Sequence, residues 1–179
     1  MSREVFFDPC DERAEVFIKT VELFMQEKKV SRIRRTVGNA LMIDFGKLTK
    51  FKIKAEILAK RKSKFGRKSI SRGEWCFFVE MSDWAIYNRK KRILTSETEL
   101  QKIDALIGCF KGRVLRKLGI ARNGEVAVEF DKGLRIKVFE GPGKINHWAL
   151  FYRNWWWIGY GQPRNRFKFG WGSVLAVAK

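Results

Sequence analysis

The sequence predicts an α+β protein of two similar helix-plus-antiparallel-meander units, an internal duplication packed about a pseudo-twofold axis. Three observations predict it. Two segments carry apolar residues at helical spacing. Each is followed by short runs with the alternation of half-buried antiparallel strands. The runs recur in the same order, at an offset that shortens along the chain because the first copy has the longer loop.

The first unit is assigned to residues 1–94 and the second to 95–179. A helix is predicted over 14–27, with Ala14, Phe17, Ile18, Val21, Phe24 and Met25 on its apolar face. Its counterpart is predicted over 97–110, with Leu100, Ile103, Leu106, Ile107 and Phe110 on one face and a capping box of Ser96 and Glu99 at its start. After the helices, Lys29-Val30-Ser31-Arg32 matches Arg113-Val114-Leu115-Arg116. Gly38-Asn39 and Asn123-Gly124 are turn signals in like places. Leu41-Met42-Ile43-Asp44-Phe45 matches Val126-Ala127-Val128-Glu129-Phe130, and Phe51-Lys52-Ile53-Lys54 matches Leu134-Arg135-Ile136-Lys137. Glu74-Trp75 and His147-Trp148 each open a further strand, which predicts matching buried places for Trp75 and Trp148.

Composition bounds the function. The chain has 179 residues, 45% hydrophobic and 14% aromatic, enough for a core and too apolar for disorder throughout. Its 38 Lys and Arg oppose 19 Asp and Glu, for a net charge of +19. Residues 1–27 carry a net −4, whereas residues 28–72 carry +14. A charge this large repels itself and points to a polyanionic partner: nucleic acid, an anionic membrane or an acidic protein. Cys10, Cys76 and Cys109 are odd in number and widely spaced, and His147 is the one histidine. Neither a disulfide framework nor a Cys/His zinc site follows, and the thiols are expected to be reduced. Residues 1–9 do not read as a secretory signal, and no apolar run approaches the ~18 residues of a membrane span. A cytoplasmic protein without membrane binding, metal or cofactor is expected.

No catalytic constellation is legible. His147 has no positioned partner in sequence, and the glycines at 159, 161, 170 and 172 lie among aromatics instead of opening a helix beneath a phosphate. A metal-dependent nuclease would need clustered carboxylates. Asp44 and Glu129 occupy matching runs, and a twofold axis would bring them together.

Binding is better supported. Lys50, Lys52 and Lys54 fall on one face of a strand about 7 Å apart, near the phosphate repeat of one nucleic-acid strand. Arg135 and Lys137 repeat the row in the second unit. Lys60, Arg61, Lys62, Lys64, Arg67, Lys68 and Arg72 form an acid-free loop with Gly66 and three serines, suited to a phosphate backbone. Near the C-terminal end, Trp155, Trp157, Tyr160 and Trp171 interleave with Arg164, Arg166 and Lys168, a combination able to stack bases while pairing phosphates. At least one of the consecutive tryptophans 155–157 should face outward if they lie on a strand.

Gly73-Glu74-Trp75, Ser82-Asp83-Trp84-Ala85-Ile86, Ile93-Leu94-Thr95 and Asp44-Phe45-Gly46, with Phe130 and Trp148, resemble small bacterial proteins of unknown function, some of which look like immunity proteins of polymorphic toxin systems. The resemblance covers about residues 28–160 and rests on structural aromatics and turns, so it implies fold more than activity. The expected function is therefore non-catalytic binding of a nucleic-acid backbone. The alternative that the resemblance implies is an immunity or adaptor protein masking an acidic protein surface.

Overall fold

A computed structural model describes residues 3–7, 11–36, 39–53, 69–80, 82–139, 147–153, 156–161, 166–171 and 177–178. The chain is α+β, with antiparallel sheets and two α-helices among the described residues. Strand β1 (Arg3–Phe7) precedes helix α1 (Glu12–Met25). Strands β2 (Val30–Arg35), β3 (Leu41–Phe45), β4 (Thr49–Ile53), β5 (Ser69–Arg72), β6 (Trp75–Val79), β7 (Asp83–Asn88) and β8 (Lys91–Thr95) follow. Helix α2 (Leu100–Leu106) tightens into a 3₁₀ turn (Ile107–Phe110). Then come β9 (Leu115–Ile120), β10 (Val126–Phe130), β11 (Leu134–Phe139), β12 (Trp148–Tyr152), β13 (Trp156–Gly161), β14 (Arg166–Trp171) and β15 (Val177–Ala178).

Helix α1 begins where Asp11 caps it, its carboxylate accepting from the Arg13 backbone N–H at 2.9 Å. Glu12 and Glu15 in the first turn complement the helix dipole. Ala14, Ile18, Val21 and Met25 form the buried stripe, and Phe17 packs edge-on against Trp156 and Phe169. Phe24, expected on that face, is 63% exposed instead, one position round from Met25 and turned to solvent. The expected capping box of α2 does not form. Ser96 is buried and donates to the Asp83 carboxylate at 2.7 Å, so the helix starts only after Glu99, without a side-chain cap.

The strands assemble as a seven-stranded sheet, β1-β14-β13-β12-β6-β3-β2, a five-stranded sheet, β8-β7-β11-β10-β9, and a three-stranded sheet, β15-β4-β5. The hairpins β2–β3 and β9–β10 share one register. Arg32 faces Asp44 and Ile33 faces Ile43, as Lys117 faces Glu129 and Leu118 faces Val128, and each hairpin carries one bulge at the same step. The third strand of the two sets is not the expected one. Strand β4 pairs with β5 and β15, outside both large sheets, so residues 51–53 do not correspond to 134–136, and Lys54 lies outside the described residues. The strand that stands beside β3, as β11 stands beside β10, is β6.

The tryptophan correspondence changes with it. Trp148 faces Val79 on β6, and the residue facing Val138 on β11 is Trp84, not Trp75. The fourth strands also cross over: β7 joins the sheet of β9–β11, and β12 joins the sheet of β2, β3 and β6. Both large sheets thus draw strands from either side of the 94/95 boundary. Reciprocal bonds tie their edges together. Val30 N–H donates to Arg113 O, and Leu115 N–H to Lys28 O, both at 2.8 Å. Phe45 and Phe130 stack with centroids 6.3 Å apart and planes 5° from parallel. Apolar faces of both sheets and both helices enclose one core, in which Trp75, Trp84, Trp148, Phe45, Phe110 and Phe167 are fully buried.

Candidate nucleic-acid interface

Alternation along the strands gives the seven-stranded sheet two unlike faces. Ile33, Ile43, Phe77, Leu150, Ile158 and Phe169, one from each of six neighbouring strands, lie in register on the core face. On the outer face, the adjoining row reads Arg34, Met42, Phe78, Ala149, Gly159, Lys168 across the same strands. The next reads Arg32, Asp44, Cys76, Phe151, Trp157, Gly170. Cations therefore stand at one end of the face, aromatics across its middle, and Lys168 beyond them on β14, next to the edge strand β1.

The cationic end is built around Asp44, whose side chain is fully buried. Arg32 grips one carboxylate oxygen through Nε at 2.9 Å and Nη2 at 2.7 Å, and Gly73 N–H donates to the other at 2.9 Å. Arg32 Nη2 also donates to Ser71 O, so the end of the β4–β5 hairpin is fixed onto this face. Glycine is required at 73 because a Cβ there would run into the Phe45 backbone. Arg34 and Arg72 aim Nη2 and Nη1 at the Met42 sulfur, at 3.0 and 2.7 Å. A thioether is a weak acceptor. Among the described residues, Arg34 Nε is buried without a hydrogen-bond partner. Burial, and then the charges of Arg32 and Arg72, hold the Arg34 guanidinium below its ordinary value, with Asp44 opposing. Of the three guanidiniums, only that of Arg32 is bonded to the carboxylate. Beneath them the Cys76 thiol is pushed up to about 12, first by burial and then by Asp44.

The aromatic middle forms a cleft of about 340 Å³, with Ala149 and Gly159 among its lining residues, flanked by Phe78, Phe151, Trp157 and Lys168. Trp156 turns into the core against Phe17 and Trp75, and Trp157 turns outward, as alternation requires. Tyr160, expected to stack on a base, is 5% exposed and packs edge-on against Phe167 in the core, because it shares the inward parity of Ile158. His147 borders the cleft, its Nδ1 3.1 Å from Glu80 Oε2 and its backbone N–H bonded to Ser82 Oγ at 2.6 Å.

Of the other expected binding residues, Lys50 is exposed on β4, and Arg166 lies on β14, on the same strand as Lys168. Lys52 and Trp171 lie on β4 and β14 with side chains outside the described residues. Lys54, Lys60, Arg61, Lys62, Lys64, Arg67, Lys68, Trp155 and Arg164 fall outside the described residues altogether. Arg135 and Lys137 lie on β11, in a different sheet from β4. They stand on the outer side of the five-stranded sheet, 5.1 and 5.9 Å from the Tyr87 ring centroid, beside a groove of about 600 Å³ that Glu22, Glu125 and Glu129 also line. Asp44 and Glu129 project from different sheets, away from the shared core, so no twofold axis brings them together. Among the described residues, no three His, Cys, Asp or Glu side chains gather where they could hold a metal.

Arg32, Arg34, Phe78 and Phe151 were not singled out from sequence. The signal was present: the alternation of Arg32-Ile33-Arg34 and of Phe77-Phe78 puts one of each kind outward. No protein-family model, curated protein or solved structure matches the chain. No described helix is long and apolar enough to cross a membrane.

Proposed function

We propose that this chain is a non-catalytic nucleic-acid-binding protein that takes a phosphate backbone on the outer face of its seven-stranded sheet. The arginine cluster carries the reading. Arg32, Arg34 and Arg72 are half withdrawn from water, Arg32 on the Asp44 carboxylate and the other two on the Met42 sulfur, and Arg34 Nε has no acceptor among the described residues. A buried donor left unpaired is costly, and phosphate oxygens are the acceptors a guanidinium fork matches best. The basic segment 54–68 lies between β4 and β5, whose end is fastened to this same face through Ser71 and Gly73. Lys168 extends the cationic rim across the sheet.

Fluorescence anisotropy against DNA and RNA over a salt series tests the reading. Arg34→Ala with Arg72→Ala should weaken binding about tenfold or more and flatten the log–log salt slope by about 0.9 per lost duplex contact. No affinity of the parent protein at ~50 mM salt would overturn it. The acidic-protein partner implied by the resemblance to immunity proteins would then lead, with the same variants as its test.

The two halves are further read as an internal duplication about a pseudo-twofold axis, with the fourth strand of each unit exchanged. Backbone bonds that recur at one constant offset along the chain support this. Gly46 N–H to Lys29 O matches Asp131 N–H to Val114 O, both at 2.9 Å. Thr36 N–H to Ala40 O matches Ala121 N–H to Glu125 O, both at 2.8 Å. Arg89 and Arg153 both adopt left-handed backbone after β7 and β12, each donating to the residue just before the neighbouring strand of its own sheet, to Gly133 O and Glu74 O.

A further inference from the structure

We infer that the ligand of the seven-stranded sheet is single-stranded nucleic acid, whose unpaired bases stack on Trp157, Phe151 and Phe78. This rests on the nucleic-acid reading and names the strandedness that reading leaves open. The indole of Trp157 lies flat against the sheet. A Cβ on Gly159 would stand 3.1 Å from its Cζ3, and one on Gly170 would overlap its Nε1. Two glycines therefore provide the bare backbone on which the ring rests, with its other face turned away from the sheet. Phe151 is its direct cross-strand neighbour, and Phe78 stands diagonally beyond on β6. All three rings are partly exposed, on the face opposite the apolar core that normally claims large aromatics.

The surroundings fit a nucleotide more closely than a protein side chain. The cleft beside the rings, about 340 Å³, is at the small end of the ~300–1,000 Å³ of ligand pockets. Lys168 stands on one side of it and the Arg32–Arg34–Arg72 cluster on the other. A base face on the rings with phosphates at the flanking cations is the arrangement by which sheets bind single strands. Paired bases in a duplex cannot offer their faces to the sheet, whereas duplex phosphates can still meet the arginines.

The experiment uses the full chain and an oligonucleotide of about 16 nucleotides, single-stranded or annealed to its complement. Fluorescence anisotropy at about 100 mM salt reads both affinities. The parent protein should prefer the single strand. Trp157→Ala should weaken single-strand binding by about ten- to a hundredfold and leave duplex binding within about twofold. Trp157→Phe should retain most of the preference. Gly170→Ala, which displaces the indole without removing it, should act in the same direction as Trp157→Ala. Phe151→Ala gives an independent reading if either variant fails to keep the parent's circular dichroism. Equal affinity for single strand and duplex, or equal loss for both in Trp157→Ala, would overturn the stacking inference while leaving backbone binding standing. No binding of either form would overturn both.

Discussion

Trp84 and Trp148 make like bonds: each indole Nε1 donates a 2.7 Å hydrogen bond to a backbone carbonyl, Asn39 O for the first and Gly124 O for the second. The two acceptors are separated along the chain by the same offset that relates the β2–β3 register to that of β9–β10. Both indoles are buried, at 0% and 1% exposure. Replacing either with Phe removes the donor and leaves a carbonyl without it. Trp84→Phe and Trp148→Phe should each lower stability by about 1–3 kcal/mol. Urea denaturation measures both, and the two losses should be alike. A loss confined to one of them would contradict that likeness.

The arginines around Asp44 should divide into one that stabilises and one that binds. Arg32→Ala strips a buried carboxylate of its partner, a change that costs about 3–5 kcal/mol when the pair is buried. Arg32 itself is 28% exposed, which favours the lower end. Arg34→Ala removes no carboxylate contact and relieves repulsion from Arg32 and Arg72. Its stability should stay within about 1 kcal/mol of the parent, while its nucleic-acid affinity falls. Thermal melts and anisotropy on the two variants together separate the roles.

Glu22 gives a pH dependence. Burial raises its carboxyl above the ordinary value, against the lowering effects of the Ile120 N–H bond and of Lys117 and Lys19. A raised carboxyl means that the folded state holds the proton to higher pH than the unfolded chain does. The stability tied to that proton is present at acid pH and is lost as pH rises through the folded value. Glu22→Gln keeps an oxygen for the Ile120 N–H and abolishes the titration. It should equal the parent below about pH 4.5 and melt higher than the parent near pH 7.

The cysteines should differ in reactivity. Cys76 is buried against Asp44, its thiol pushed up to about 12, so almost no thiolate exists at neutral pH. Cys109 is exposed. Iodoacetamide added to the native protein should modify Cys109 and spare Cys76 until a denaturant is added. Mass spectrometry of the digested protein reads each site.

The local pattern carried much of this fold. The stripe Ala14, Ile18, Val21, Met25 and the paired runs 41–45 and 126–130 are readable because periodicity is a local property. Strand partnership is not local. The alternating lysines of β4 resemble Arg135 and Lys137 in pattern, yet β4 is taken up by β5 and β15, and β6, further along the chain, fills its place. The binding face was legible in part for the same reason. Trp157 and Lys168 can be read outward from alternation on their own strands. Their company with Phe78, Phe151, Arg32 and Arg34 depends on β6 meeting β12, which only the register between distant segments decides.

The mixing of early and late strands in both large sheets bears on how the chain comes off the ribosome. When residues 1–94 have emerged, β6 lacks β12, β7 lacks β11, and β1 has no neighbour until β14 is made. Bare strand edges invite pairing with other chains, and pairings this distant in sequence are slow to form. Folding should therefore be completed only after synthesis of the C-terminal strands. Coexpressed as separate chains, 1–94 and 95–179 should each aggregate alone and stay soluble only where they meet.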